Sequence, residues 1–412
     1  MKPKTKEQEK TRNSVNLLYF NKNENKTINK KKIIGVCILI VIICLIIVAY
    51  AVYASNENFR NYVDMNILHK EISENNLKSI ELEDYDNSNI FAYSKYIAIL
   101  KDNSLKTYNA SGKEESESKI EISNPIMDMS EKFLIIAEQN ESKAYLLEDN
   151  TIKWAKDSKA IEGSISRVCV NSSGYSAVIL KGTAYKSVVV LYDETGNEVF
   201  KTYISSSIAV DISISEDNKF LSIAEVNISG TLIQSDIKVV SIAKAKENPK
   251  EAIVYTYNAP VNSLILDIKY QNKNNLVCEY DNGIHVIKNN DDTKLTDIDT
   301  QQEKITFYSI KLYNNVVKSV EENAGLLSTN TTIKIINSST QKENTYKFDG
   351  VIKELYCYGN KIALNLGSEI HFIESNGWLI KKYVSNQEIR KIVMSDYLAG
   401  IVYRNKIEII KF

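Results

Sequence analysis

Three histidines are the first candidates for acid–base chemistry in this chain of 412 residues: His69, His285 in NGIHVIK and His371 in SEIHFIE. A catalytic imidazole needs a positioned partner. GxSxG, HExxH and Walker-type glycine loops do not occur in the sequence. His285 and His371 sit in strand-like segments and read as satisfied or surface residues. The carboxylates Asp128, Asp211, Asp267 and Glu354 fall in or beside apolar strand-like segments, where they either ring a channel or bond neighbouring backbone. The acidic run NNDDTKLTDID, Asn289 to Asp299, offers the oxygen ligands calcium takes. It lacks the alternating DxDxDG order with its turn glycine, and reads as a solvated outer-strand loop. Cys37 and Cys44 lie in a long apolar run, while Cys169, Cys278 and Cys357 are single and far apart in apolar segments. With no CxxC and an odd number outside that run, they read as buried thiols, not a zinc site or disulfide framework. The sequence therefore assigns no catalytic, cofactor-binding or metal-binding residue, and no cofactor is expected.

The elements that position these residues are strands. From about residue 78 the chain is a series of short β-rich runs separated by turn clusters, without a long amphipathic helix. The clearest unit is ISISEDNKFLSIAEV (212–226): a strand, the turn Glu216-Asp217-Asn218-Lys219, and a second strand. Asp and Asn tolerate left-handed backbone and bond their own main chain, so they favour such turns. Related copies begin at 127, 168, 268, 355 and 393, and second hairpins follow at 143–157, 187–204 and 369–384, with Gly196 and Gly377 where the loop needs positive φ. Each unit is thus four strands, and innermost strands are expected near 90, 126, 165, 209, 263, 306, 351 and 389. The last unit supplies only three strands before Phe412, and LKSIELE (77–83) is available as its fourth. Joining the first and last strands closes a ring and removes its exposed edges. The expected fold is all-β, a β-propeller of eight four-stranded blades, with seven as the alternative because the segment 304–348 is irregular.

ISEDNKFLSIAEV resembles the "ISPDGKYLAVA" hairpin of WD40-like, YVTN-type propellers, and LYDETGNEVFKTY and LLEDNTIKWAKD resemble the outer hairpins of quinoprotein-like propellers such as the outer-membrane assembly lipoproteins. With its amino-terminal apolar run, the chain most resembles clostridial-type families of single-span proteins that carry an external propeller of unknown function. The Trp-Asp dipeptide and the kelch Gly-Gly are missing, and Trp154 and Trp378 are the only tryptophans, where cofactor-bearing quinoproteins use one in most blades. Metal-dependent lactonase-like propellers set carboxylates and a His on the innermost loops, and no such set can be assembled here.

Residues 33–53, IIGVCILIVIICLIIVAYAVY, are 21 uncharged apolar residues beside Lys30-Lys31-Lys32. As a helix they extend roughly 31 Å, enough to cross a bilayer core. Residues 1–32 hold ten basic and three acidic residues, a net +7, and the remainder carries −8. Basic residues beside a span stay cytoplasmic, so residues 54–412 are expected outside, with Tyr50 and Tyr53 at the interface. A cleaved signal peptide is the competing reading, since Ala49-Tyr50-Ala51 has the small-x-small form. The run is longer than a typical h-region and its n-region unusually long, which favours a retained anchor. The division expected is a basic disordered tail (1–32), a transmembrane helix (33–53), a stalk with a weak helix over Phe59, Val63, Ile67 and Ile72 (54–76), and the propeller (77–412). In the tail, Val15 to Phe20 either touches the inner leaflet or docks a cytosolic partner.

An exterior of −8 lacks the basic footprint of nucleic-acid binding. Heavy use of Asn, Lys and Ile, with 14 Gly and 4 Pro, resembles an AT-rich Gram-positive genome. The expected role is a membrane-tethered binding or scaffold module for an envelope protein or cell-wall component. The alternative is an enzyme, a hydrolase or quinoprotein-like oxidoreductase, working in the axial channel.

Overall fold

The computed structural model describes residues 30–412 except 57–58, 61–62, 65–66, 69, 74–76, 83–88, 157–162, 183, 228, 231, 261–262, 289–290, 299–302 and 324–328. The basic tail up to residue 29, with Val15 to Phe20, and His69 lie outside the described residues. The chain forms two compact units, residues 1–68 and 69–412.

In the first unit the helix Lys30–Ser55 carries the apolar run. Its stretch Ile34–Ser55 has a mean hydropathy of 3.3, and its large apolar side chains stand exposed on every side. A helix without a polar face suits a lipid environment, and its 22 residues are long enough to cross one. Helical backbone recurs at Phe59–Arg60 and Val63–Asp64, where the Tyr53 hydroxyl donates to Asp64 Oδ1 at 2.6 Å.

The second unit is an eight-bladed β-propeller, each blade an antiparallel four-stranded sheet. Innermost strands are Ile90–Tyr93, Pro125–Ser130, Ser164–Val170, Ile208–Ile214, Ile265–Tyr270, Lys304–Leu312, Glu354–Tyr358 and Lys391–Met394, numbered here as blades one to eight. All begin within three residues of the expected positions. Blade six is a full blade, Lys304–Leu312, Asn315–Asn323, Thr329–Asn337 and Glu343–Asp349. Register shifts at Ile305/Phe307 and Ser309/Leu312 break its alternation, which is why it reads as irregular in sequence.

The hairpins form for local reasons. In blade four the Ser215 hydroxyl accepts from the backbone N–H of Lys219 (3.1 Å) and Phe220 (3.0 Å), and Asn218 takes φ +56°. Gly196 (φ +86°) and Gly377 (φ +83°) hold the expected left-handed positions. At Gly196 a Cβ would also stand 2.8 Å from Trp154 Cγ, so glycine meets both a backbone and a packing demand.

Apolar layers between adjacent blades replace a central core. Phe133, Trp154, Val178 and Tyr192 fill the seam of blades two and three, and Ile97, Val393, Leu398 and Ile407 that of blades eight and one. The ring closes as the sequence implies: Lys78–Glu81 pairs antiparallel with Lys406–Lys411, placing Lys78 opposite Ile409 and Glu81 opposite Lys406. One addition was not legible. Glu71–Ser73, read in sequence as the end of the stalk, runs parallel to Leu379–Val384 as a fifth strand on blade seven, with Lys70 Nζ 2.6 Å from the Leu379 carbonyl.

Candidate functional site: the axial cavity

Alternate residues of an innermost strand face the ring axis, and on blades two to seven these side chains surround a cavity of about 570 Å³. Blades one and eight contribute nothing to its lining, because all four residues of Ile90–Tyr93 are buried and Lys391–Met394 is equally short. The cavity is therefore eccentric. Its size falls within the usual range for small-molecule sites.

Of the carboxylates singled out in sequence, Asp128, Asp211 and Asp267 line the cavity and Glu354 does not. Three of the four share a second task. Asp128 Oδ2 accepts the Val170 backbone N–H at 2.9 Å, Asp211 Oδ2 accepts that of Ile268 at 2.8 Å, and Glu354 accepts that of Ile392. Each thus ties an innermost strand to its neighbour in the next blade. Arg167 Nε to the Val210 carbonyl (3.3 Å) and Lys391 Nζ to that of Ile90 (3.0 Å) extend the stitching around the ring.

Blades four and five bring acids into contact. The Asp211 carboxyl lies in hydrogen-bond contact with that of Asp267, and burial together with the Asp267 charge pushes the Asp211 carboxyl well above the ordinary range. A proton on Asp211 relieves the contact between the two acids. Directly across the strand pair, opposite Asp267, lies Glu279. Burial first, and Asp267 second, raise its carboxyl to about 7, opposed by a hydrogen bond from the Tyr308 hydroxyl.

Lys269, two residues beyond Asp267 and so on the same face, reaches from blade five toward blade two. Its Nζ stands 4.0 Å from Asp128 Oδ2, outside hydrogen-bond distance. Asp128 is the main influence holding its ammonium charged, against burial. The side chain is 36% exposed although deep in the protein, because it faces the open axis. Lys269 and Glu279 escaped sequence reading; the available signals were the two-residue spacing from Asp267 and the hairpin register.

The remaining candidates lie elsewhere. His285 Nδ1 is 3.0 Å from Asp292 Oδ1, and its ring meets Tyr280 edge-on; His371 Nδ1 is 3.0 Å from the Tyr346 hydroxyl and its Nε2 3.2 Å from Glu369 Oε1. Neither histidine lines the cavity. The acidic run forms an exposed outermost strand, Asp291–Asp297, not a loop; Asn289, Asn290 and Asp299 lie outside the described residues. Cys169, Cys278 and Cys357 are buried free thiols, and burial pushes the Cys357 thiol up to about 12. Among the described residues, no three His, Cys, Asp or Glu side chains gather as a metal site would require.

The family described as "Family of unknown function (DUF5711)" matches residues 68–412. No curated protein matches the sequence. Among solved structures, BamB from Moraxella catarrhalis is similar at 10% identity over 82% of this chain and 99% of that one, with TM-score 0.46. The dihydro-heme d1 dehydrogenase NirN is similar at 10% over 81% and 72% (TM-score 0.49), and the Cps50 (Swd1) β-propeller domain of Myceliophteria thermophila at 11% over 81% and 99% (TM-score 0.42). At these values the likeness extends to architecture and no further.

Proposed function

This chain belongs to the DUF5711 family, and we propose that it is a membrane-anchored, extracytoplasmic propeller acting as a binding or scaffold module for an envelope protein or a cell-wall component. One observation carries this reading: the channel carboxylates best placed for chemistry, Asp128 and Asp211, are engaged with backbone N–H groups of the next blade. Their geometry serves the ring, which leaves the rim loops as the recognition surface. The single apolar helix near the amino terminus holds the propeller at the membrane, and the lysines before it keep the tail cytoplasmic.

Crosslinking in intact cells, followed by identification of captured material, tests the proposal. A discrete envelope protein or a wall fragment recovered with the full-length chain supports it; recovery of nucleic acid or cytosolic proteins alone overturns it. The second reading, an enzyme of the channel, is favoured by the touching Asp211 and Asp267 and by the raised Glu279. Turnover of an ester, lactone or alcohol substrate that disappears in Asp267→Asn would establish that reading instead.

A further inference from the structure

Independently of any rim partner, we propose that the axial cavity binds a small zwitterion of the amino-acid class, its ammonium group on the Asp211–Asp267 pair and its carboxylate on Lys269. Groups of both signs line one cavity of about 570 Å³, the acid pair on blades four and five and the Lys269 ammonium reaching across toward blade two. Asp211 keeps one oxygen on the Ile268 N–H and meets Asp267 with its carboxyl, so the pair offers acceptor oxygens toward the axis. Lys269 holds its ammonium 4.0 Å from Asp128, an ion pair too long for a hydrogen bond, leaving its donors to a carboxylate that approaches from the axis. Tyr308 and Tyr358 line the same space, and the Tyr358 hydroxyl is buried without a hydrogen-bond partner. An unbonded buried hydroxyl costs stability, and a ligand's polar group relieves it. A lone cation would meet the Lys269 charge and a lone anion the carboxyl pair; a molecule carrying both signs satisfies each.

The groups facing the pair are Lys269 and Glu279 of blade five, Asp128 of blade two, and Cys169 and Arg167 of blade three, with Lys311 near Glu279. Burial and the neighbouring Asp267 raise the Asp211 carboxyl well above its ordinary range, which favours a proton on it. An incoming ammonium takes that proton's place, so binding releases about one proton and tightens as pH rises.

Calorimetric titration of the full-length chain in detergent micelles tests this, with L-alanine, L-phenylalanine and L-lysine as probes. Ethylamine and acetate serve as single-charge comparisons and calcium chloride as a metal comparison. At least one amino acid is expected to bind, more tightly at about pH 8 than at about pH 5, with release of about one proton seen from heats in two buffers. Asp267→Asn weakens binding about tenfold and abolishes the proton release; Lys269→Met weakens it about tenfold and leaves the release intact. Tyr358→Phe, which removes one unbonded oxygen, weakens binding by a smaller factor and provides a variant with little risk to folding. The proposal is overturned if none of the amino acids binds, if ethylamine, acetate or calcium binds as tightly as they do, or if the three variants, folded by circular dichroism, bind like the parent.

Discussion

The seam where the ring closes and the quarter formed by blades four and five are built from the same strand pattern and use buried polarity in opposite ways. At the seam, Tyr383 donates to Glu408 Oε2 at 2.5 Å, Tyr403 bonds both Tyr383 and Ser385, and Lys406 reaches Glu408 Oε1 at 2.5 Å. Both Glu408 oxygens have a donor, and Ile392, Ala399 and Ile401 pack in the same layer as the two tyrosines. In blades four and five, Asp211 meets another acid, Asp267, and Lys269 has its nearest carboxylate at 4.0 Å. A satisfied network specifies one arrangement, whereas two acids in contact and a loosely held ammonium leave free energy for an incoming group. The seam is made to stay shut, and the channel quarter to respond.

The largest test removes the seam. Residues 78–412 are expected to form a soluble all-β domain, and a chain shortened to 90–412 to aggregate, because the Lys406–Lys411 strand then presents an unpaired edge. Circular dichroism and sedimentation of the two decide; equal behaviour breaks the comparison. Next, Glu408→Ala strips the acceptor from Tyr383 and Lys406 in a buried site, and is expected to cost about 3 kcal/mol in denaturant unfolding. The same exchange at Asp267, which accepts from no backbone group among the described contacts, is expected to be near neutral or stabilising, since it relieves Asp211.

Gly400→Ala sharpens the seam's side of the contrast. A Cβ there would stand 2.8 Å from Ile97 Cδ1, the end of a longer side chain, and 2.9 Å from Val393 Cγ2, a stiff β-branched methyl, so a loss of about 1–2 kcal/mol is expected in the same unfolding measurement. The smallest effect concerns pH. Glu279 has its folded carboxyl raised to about 7 against about 4.3 unfolded, so the folded chain holds the proton more tightly. Its contribution to stability is full below the unfolded value and is lost as pH rises through about 7. Glu279→Gln is expected to flatten the melting temperature over that window. Glu369 runs the other way: hydrogen bonding to His371 depresses it to about 2, so its contribution is present above about 4.3 and fades as pH falls toward 2.

Much of the ring is legible in residue order alone. Strand alternation, the Asp-Asn turn at 215–219 and the three-stranded last unit point to eight blades over seven and to the closing partner, because pleat and turn chemistry act over a few residues. The apolar helix Ile34–Ser55, a candidate membrane span, is equally local, since length and hydropathy suffice to mark it. Three channel carboxylates could be named in advance from their strand positions. What they touch could not. Asp128 and Lys269 belong to blades three apart, and Asp211 and Asp267, far apart along the chain, to neighbouring blades. Such distances depend on the ring's diameter, the tilt of each blade and the rotamers that burial allows, quantities no single segment encodes. The parallel pairing of Glu71–Ser73 with blade seven was hidden for the same reason: a strand of three residues has too little pattern to announce itself, and an open neighbouring edge made it a strand.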